Sequence, residues 1–173
     1  MSVRIIGGDW RRSLLPVPDL PGLRPTGDRI RETLFNWLGQ DLNGWRAIDA
    51  FAGSGALGLE AASRGARVQL VESHKTAVQA LRATIAKLSG AAERVRLSQG
   101  DGIAALQAGG YELALLDPPF EAGLFERALA AAVPHAQWIY LEAPTAHEPP
   151  AGFRLHRQLK AGGVQAHLFA RDN

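Results

Sequence analysis

The chain has 173 residues, 46% hydrophobic and 21% charged, a size and balance that fit one globular domain with a short appendage and argue against disorder. It has no cysteine, which excludes a disulfide framework, a thiolate metal site and a thiol nucleophile. The formal net charge is only +2, yet residues 1–31 hold Arg4, Arg11, Arg12, Arg24, Arg29 and Arg31 against Asp9, Asp19 and Asp28, so the excess positive charge lies in the first fifth of the chain.

Residues 1–25 read as a basic, hairpin-like arm preceding one domain over 26–173. Val3 to Ile6 and Ser13 to Leu15 flank the turn signal Gly7-Gly8-Asp9, and Pro16, Pro18, Pro21 and Pro25 then keep the chain out of helix. Arginine forks bind phosphate bidentately, and Trp10, beside Arg11 and Arg12, offers a stacking face, so the arm points to a polyanion. The bland alternative is an arginine-rich surface, because arginine far outnumbers lysine throughout the chain. Thr26 or Asp28 caps a helix reaching about Leu38, with Ile30, Leu34, Trp37 and Leu38 at helical spacing and Gly39 as its stop.

From Ala47 strands and helices alternate. Strands are expected over 47–51, 68–71, 95–97, 113–116 and 138–141. Helices are expected over 56–64, from a Ser73 cap to Leu88, after an Asp101 cap, and over 123–132. This alternation implies a parallel sheet with helices on both faces. Residues 153–159 and 164–169 then form an antiparallel hairpin about Ala161-Gly162-Gly163. No apolar run approaches the ~18 residues of a membrane span and no signal-peptide pattern opens the chain, so the expected address is the cytosol.

Gly53-Ser54-Gly55-Ala56-Leu57-Gly58 matches G-x-G-x-x-G between a strand and a helix, and Glu72 ends the next strand, where an acid reaches ribose hydroxyls. Asp49 ends the first strand of this unit. A carboxylate there repels a pyrophosphate and attracts a cation; a unit charge pair at ~4 Å is worth roughly 4 kcal/mol at an effective dielectric of 20. That favours S-adenosylmethionine, a sulfonium with no phosphate, over a nicotinamide dinucleotide. Asp101-Gly102 follows the third strand, placed to accept from an adenine amine, although a plain helix cap explains it equally.

Asp117-Pro118-Pro119-Phe120 follows the fourth strand. Two prolines stiffen the loop and remove two N–H donors, leaving the Asp117 carboxylate and the Pro118 carbonyl as acceptors. Such a pair suits a planar exocyclic amine, whose lone pair is delocalised until two acceptors hold its hydrogens. Phe120 stacks on the base and aims the nitrogen. The five histidines form no ligand-spaced pair, so no metal is expected. Glu142 reads as a surface acid.

These residues resemble the class I methyltransferases that modify exocyclic amines of nucleobases. Arg4-Ile5-Ile6-Gly7-Gly8, Trp10-Arg11, Leu23-Arg24-Pro25-Thr26, Asp28-Arg29, Arg31-Glu32-Thr33-Leu34-Phe35-Asn36 and Asp49-Ala50-Phe51-Ala52-Gly53-Ser54-Gly55 further resemble the bacterial 16S ribosomal RNA guanine-N2 methyltransferases of the RsmD family. The likeness runs from residue 3 to about 170; Arg12-Ser13-Leu14-Leu15 departs from the family's usual Gly and Arg or Lys. The resemblance implies an α/β, Rossmann-like class I methyltransferase sheet of seven strands with the last antiparallel, S-adenosylmethionine as donor, and N2 of a 16S rRNA guanine (guanine-966) in an assembling 30S particle as target. It assigns the cofactor to Thr26, Asp49, Phe51, Ala52, Gly53, Ser54, Gly55, Glu72, Asp101 and Gly102, and catalysis to Asp117, Pro118, Pro119 and Phe120. RNA contact is expected at Arg4, Trp10, Arg11, Arg12, Arg24, Arg29 and Arg31. A helix–sheet domain with a polar surface is most simply a monomer. The rival readings are a DNA adenine-N6 or cytosine-N4 methyltransferase, for which the chain lacks a target-recognition domain, and a non-catalytic RNA-binding assembly module, against which the intact Asp117–Phe120 motif stands.

Overall fold

A computed structural model describes residues 2–20, 27–121 and 123–173. In chain order the elements are β1 (Ser2–Arg4), β2 (Leu14–Pro16), α1 (Asp28–Leu38), β3 (Arg46–Asp49), α2 (Ala56–Ser63), β4 (Arg67–Glu72), α3 (Lys75–Lys87), β5 (Val95–Gln99), α4 (Gly102–Ala108), β6 (Leu113–Leu116), α5 (Leu124–Ala132), β7 (Trp138–Ala143), β8 (Phe153–Ala161) and β9 (Val164–Arg171). Seven strands form one sheet in the order β5-β4-β3-β6-β7-β9-β8. The first five run parallel, and β9 inserts antiparallel between β7 and β8. Gly162 and Gly163, both at positive φ, make the turn between β8 and β9.

The strand sequences explain their places. β6 (Leu113-Ala114-Leu115-Leu116) is apolar on both faces and fully buried, as a central parallel strand must be. Leu34, Phe35, Leu59, Leu70 and Leu115 build the core on one side of the sheet; Ile48, Leu116, Ile139 and Phe169 build it on the other. Strand order reverses between β3 and β6, so the crevice of the sheet opens at the carboxyl ends of these two strands.

The N-terminal hairpin docks onto α2 through a buried charge. Glu60 has no exposed surface and four donors converge on it. Ile6 N–H donates to Oε1 at 2.8 Å and Gly7 N–H to Oε2 at 2.9 Å. Arg31 Nη1 donates to Oε1 at 3.1 Å and Arg64 Nε to Oε2 at 3.0 Å. Arg31 also holds the Arg4 carbonyl at 2.9 Å and pairs with Asp28. The turn closes tightly: Asp9 N–H donates to the Ser63 carbonyl at 2.8 Å, and a Cβ on Gly8, at φ +81°, would stand 2.0 Å from that oxygen.

This arrangement corrects four expectations. Arg31 is fully buried in the Glu60 cluster, so it cannot meet RNA. Trp10 is 5% exposed and donates its indole N–H to the Ser89 carbonyl at 2.8 Å, so it packs the hairpin down and presents no stacking face. Asp28 is the first helical residue of α1 and Gly27 its N-cap, without a side-chain cap bond. Ser73 does not cap α3; His74 is the N-cap, and its N–H is taken by the Glu72 carboxylate at 2.7 Å. Thr26 and Arg24 lie outside the described residues. Arg4, Arg11, Arg12 and Arg29 are exposed. Arg12 sits at φ +74°, a left-handed conformation that glycine adopts freely, at the segment where the sequence departs from the family's usual glycine.

Removing the acceptor from the hairpin lock leaves two buried guanidinium groups and two N–H groups without it. Glu60→Ala is expected to cost about 3–5 kcal/mol of unfolding free energy in urea titrations. A loss under about 1 kcal/mol would show that the cluster does not hold the arm.

Candidate active site

Four strand ends deliver four carboxylates to one crevice. β3 ends at Asp49, β4 at Glu72, β5 is followed by Asp101, and β6 by Asp117. They line a cleft of about 690 Å³, within the range of small-molecule sites. Among the described residues its charged lining comprises Asp49, Glu72, Asp101, Asp117 and Glu121 against Arg127, a field that repels phosphate and draws a cation.

Asp49 is 1% exposed. Its Oδ2 accepts the Gly58 N–H at 2.8 Å, while Oδ1 is buried without completing a hydrogen bond. Only glycine permits this approach, because a Cβ on residue 58 would stand 2.3 Å from Leu70 and 2.9 Å from Asp49 Oδ2. Burial pushes the Asp49 carboxyl up to about 7, aided by the negative charges of Glu72 and Glu142 and opposed by the Gly58 and Phe51 backbone N–H groups. An orphaned buried carboxylate oxygen at the wall of an acidic cleft is a site for a positively charged ligand.

Glu72 Oε1 accepts the Gly53 N–H at 2.9 Å, which ties the end of β4 to the glycine loop. With Oε2 engaged by His74 N–H, each oxygen keeps a lone pair for a hydroxyl. Asp101 caps α4 as the sequence suggests, Oδ1 accepting the Ile103 N–H at 3.1 Å. Capping uses Oδ1 and leaves Oδ2 to accept from an amine, so the cap and ligand readings are compatible. These groups fit S-adenosylmethionine: carboxylates for its sulfonium and ammonium charges, hydroxyl acceptors at Glu72, and an amine acceptor at Asp101.

The Asp117–Phe120 loop closes the same cleft. Pro118 is buried, and its carbonyl accepts no hydrogen bond from the described residues. Phe120 is 49% exposed, an unusual state for a large apolar ring. It rests on a run of rings: Phe125 at 5.9 Å, then His147 at 5.4 Å from Phe125, then His167 at 6.0 Å from His147. His167 is fixed by the Leu141 carbonyl on Nδ1 at 3.1 Å and by His147 N–H donating to Nε2 at 3.0 Å. Burial lowers the His167 pKa, consistent with a neutral ring in this pair of bonds.

The cleft brings together Asp49, Phe51, Ala52, Gly53, Ser54, Glu72, Asp101, Gly102, Asp117, Pro118, Pro119 and Phe120. Gly55 does not line it; at φ +83° it turns the chain into α2 as its N-cap. Leu57, Ile103, Leu124 and Arg127 join the lining, and the sequence reading did not assign them to the site. Glu142 is 3% exposed in β7 and accepts the Tyr140 O–H at 2.7 Å, so it is not a surface acid. Among the described residues no His, Cys, Asp and Glu cluster of metal-binding geometry occurs, and no helix is long and apolar enough to cross a membrane.

Fold and cleft together define a class I S-adenosylmethionine-dependent methyltransferase. The family model described as "Conserved hypothetical protein 95" matches residues 3–170. The ribosomal RNA small subunit methyltransferase D of Escherichia coli K12 is 41% identical over 181 residues, covering 99% of this chain and 91% of that protein. Its Haemophilus influenzae counterpart is 41% identical over 134 residues, covering 75% and 69%. The chain belongs to the ribosomal RNA small subunit methyltransferase D family. Among solved structures, Escherichia coli yhhF superposes with a TM-score of 0.86 at 40% identity, covering 99% of both chains. A Thermus thermophilus 16S rRNA N2 methyltransferase solved with AdoMet and guanosine shares the fold, with a TM-score of 0.66 at 20% identity over 100% of this chain and 50% of that one.

The raised Asp49 pKa fixes two pH dependences. The folded protein holds this proton between the ordinary value of 3.8 and about 7, so Asp49 lowers stability as pH rises through that window, and the cost is complete above it. The carboxylate attracts a cation and the carboxylic acid does not, so S-adenosylmethionine affinity by calorimetry is expected to rise with pH, up to about tenfold per unit below 7, and to level off above. Asp49→Asn is expected to bind at least about tenfold more weakly with a flat profile. A wild-type affinity unchanged between pH 6 and 8 would contradict this role for Asp49.

Proposed function

We propose that this chain moves a methyl group from S-adenosylmethionine to the exocyclic N2 of a guanine in 16S ribosomal RNA. By family likeness the target is guanine-966 in an assembling 30S particle, met by a cytoplasmic monomer. The observation that carries the reading is the sharing of one cleft by the Asp117–Phe120 loop and the cofactor-side acids Asp49, Glu72 and Asp101. The curated relatives' name supports ribosomal RNA as the substrate.

The mechanism follows from acceptors and stacking. S-adenosylmethionine supplies an electrophilic methyl on a sulfonium. Asp49, Glu72 and Asp101 hold that donor at the ends of β3 to β5. A guanine amine is inaccessible inside an RNA stack, so the base enters the cleft extruded. Phe120 stacks on it, braced from behind by Phe125. The Asp117 carboxylate and the Pro118 carbonyl accept the two N–H groups, which draws the nitrogen lone pair out of the ring and offsets the positive charge growing at N2. Held this way, the nitrogen would be aimed at the methyl carbon for an in-line displacement. Asp117 need not take a proton before attack; the ammonium-like product loses it afterwards. Arg4, Arg11, Arg12 and Arg29, with Arg24 by family likeness, give the RNA backbone salt-sensitive contacts.

Asp117→Ala is expected to lower turnover on small-subunit RNA by about 100-fold or more while leaving S-adenosylmethionine affinity within about twofold. Turnover near the wild-type value would remove the acceptor pair from the chemistry.

A further inference from the structure

A second basic surface lies at the other end of the sheet. Arg46 and Arg67 are in-register partners on β3 and β4. Val95 is the register partner of Val68, which puts Arg94, just before β5, at the level of Arg67. Arg96 faces Gln69, two residues along. In-register neighbours on parallel strands, and residues two apart on one strand, share a face. Arg46, Arg67 and Arg96 therefore lie on one face of three adjacent strands, about 4.8 Å from strand to strand, while Arg94, which precedes β5, turns to the opposite face, over the Trp10 ring and onto the Ala62 carbonyl. All four line a groove of about 250 Å³ at the edge of the sheet, together with one acid, Glu93.

Like charges directly opposite one another on neighbouring strands are unfavourable, and the protein answers only half of them. Glu112 pairs with Arg46 at 2.9 Å, and Asp9 pairs with Arg94 at 2.5 Å. Arg67 and Arg96 are exposed and form no ion pair among the described residues. The groove offers no exposed aromatic anchor either; Tyr111, which lines it, is 4% exposed and gives its hydroxyl to the Leu106 carbonyl. Protein interfaces are commonly centred on such anchors, whereas a row of cations at strand spacing matches a row of anions.

We infer that this groove holds successive backbone phosphates of the RNA substrate, at a site separate from the cleft. The inference rests on the reading that the chain acts on RNA. Glu72 and Arg67 end the same six-residue strand, so the two sites are about 17 Å apart along β4. An RNA that fills the cleft and also crosses the groove must extend around the sheet edge at β5. A mononucleoside or very short strand reaches the cleft alone, which makes the groove a device for preferring a long, structured substrate.

The test is direct binding of a fluorescein-labelled 16S rRNA fragment, read by anisotropy across a salt series and separate from methylation. Arg67→Gln/Arg96→Gln is expected to bind about tenfold more weakly at 0.1 M salt, with the slope of log affinity on log salt reduced by about 1.4 to 1.8 in magnitude. Arg67→Glu/Arg96→Glu is expected to bind more weakly still, while S-adenosylmethionine affinity and melting temperature stay at wild-type values. Unchanged affinity and slope in both variants would overturn the proposal. So would polyglutamate displacing the RNA from wild type as well as unlabelled RNA does, since that assigns the groove to acidic protein. A wild type that binds the RNA through these arginines but never methylates it would overturn the proposed reaction and leave the groove assignment standing.

Discussion

The structure depends on one buried carboxylate. Glu60 lies on α2, the helix that the glycine loop opens into, and it accepts from the hairpin backbone, from α1 and from its own helix at once. A buried charge is costly unless every lone pair is engaged, and here each oxygen receives two donors. The consequence is geometric. The basic arm and α1 are locked to the element that carries the cofactor loop, so the exposed arginines of the arm hold fixed positions relative to the cleft. Arg31 and Trp10 serve this lock, which is why neither is available to a ligand.

At the cleft the balance is opposite: charge is left unsatisfied. Asp49 keeps one oxygen buried without a hydrogen bond, within the field of Glu72 and Glu142. A fold selected only for stability would place an apolar residue there. The cost makes sense if a cationic ligand completes the site, because the repulsion that destabilises the empty carboxylate becomes attraction on binding. The same reasoning separates this cleft from a dinucleotide site with the same glycine spacing: among the described residues five carboxylates face one arginine, a balance that opposes a pyrophosphate.

Most of the sheet was legible in the sequence because its signals are local. Short apolar stretches around Asp49 and before Glu72 and Asp117 mark parallel strands and their ligand ends, although the first stops at Asp49 and does not run on to Phe51, and Gly162-Gly163 marks the hairpin. What escaped was set by distant partners. Glu60 sits among alanines and leucines with donors 29 and 53–54 positions away, so nothing nearby announces the hub. Ser73 is a good cap by residue type, but α3 begins one residue later, with His74 as its N-cap. Charge counting weighed Arg31 and Arg29 alike, because composition carries no depth; for the same reason it passed over Arg46, Arg67, Arg94 and Arg96, whose acids elsewhere in the chain cancel them in the sum.

The central claim is a methyl transfer to a guanine amine in small-subunit RNA. The most direct test incubates the protein with tritiated S-adenosylmethionine and hypomethylated 30S particles, with naked 16S rRNA and duplex DNA alongside, and digests each to nucleosides. Label in N2-methylguanosine from RNA is the predicted result. Label confined to N6-methyladenine or N4-methylcytosine in DNA would contradict it, as would a protein that binds the cofactor and labels nothing.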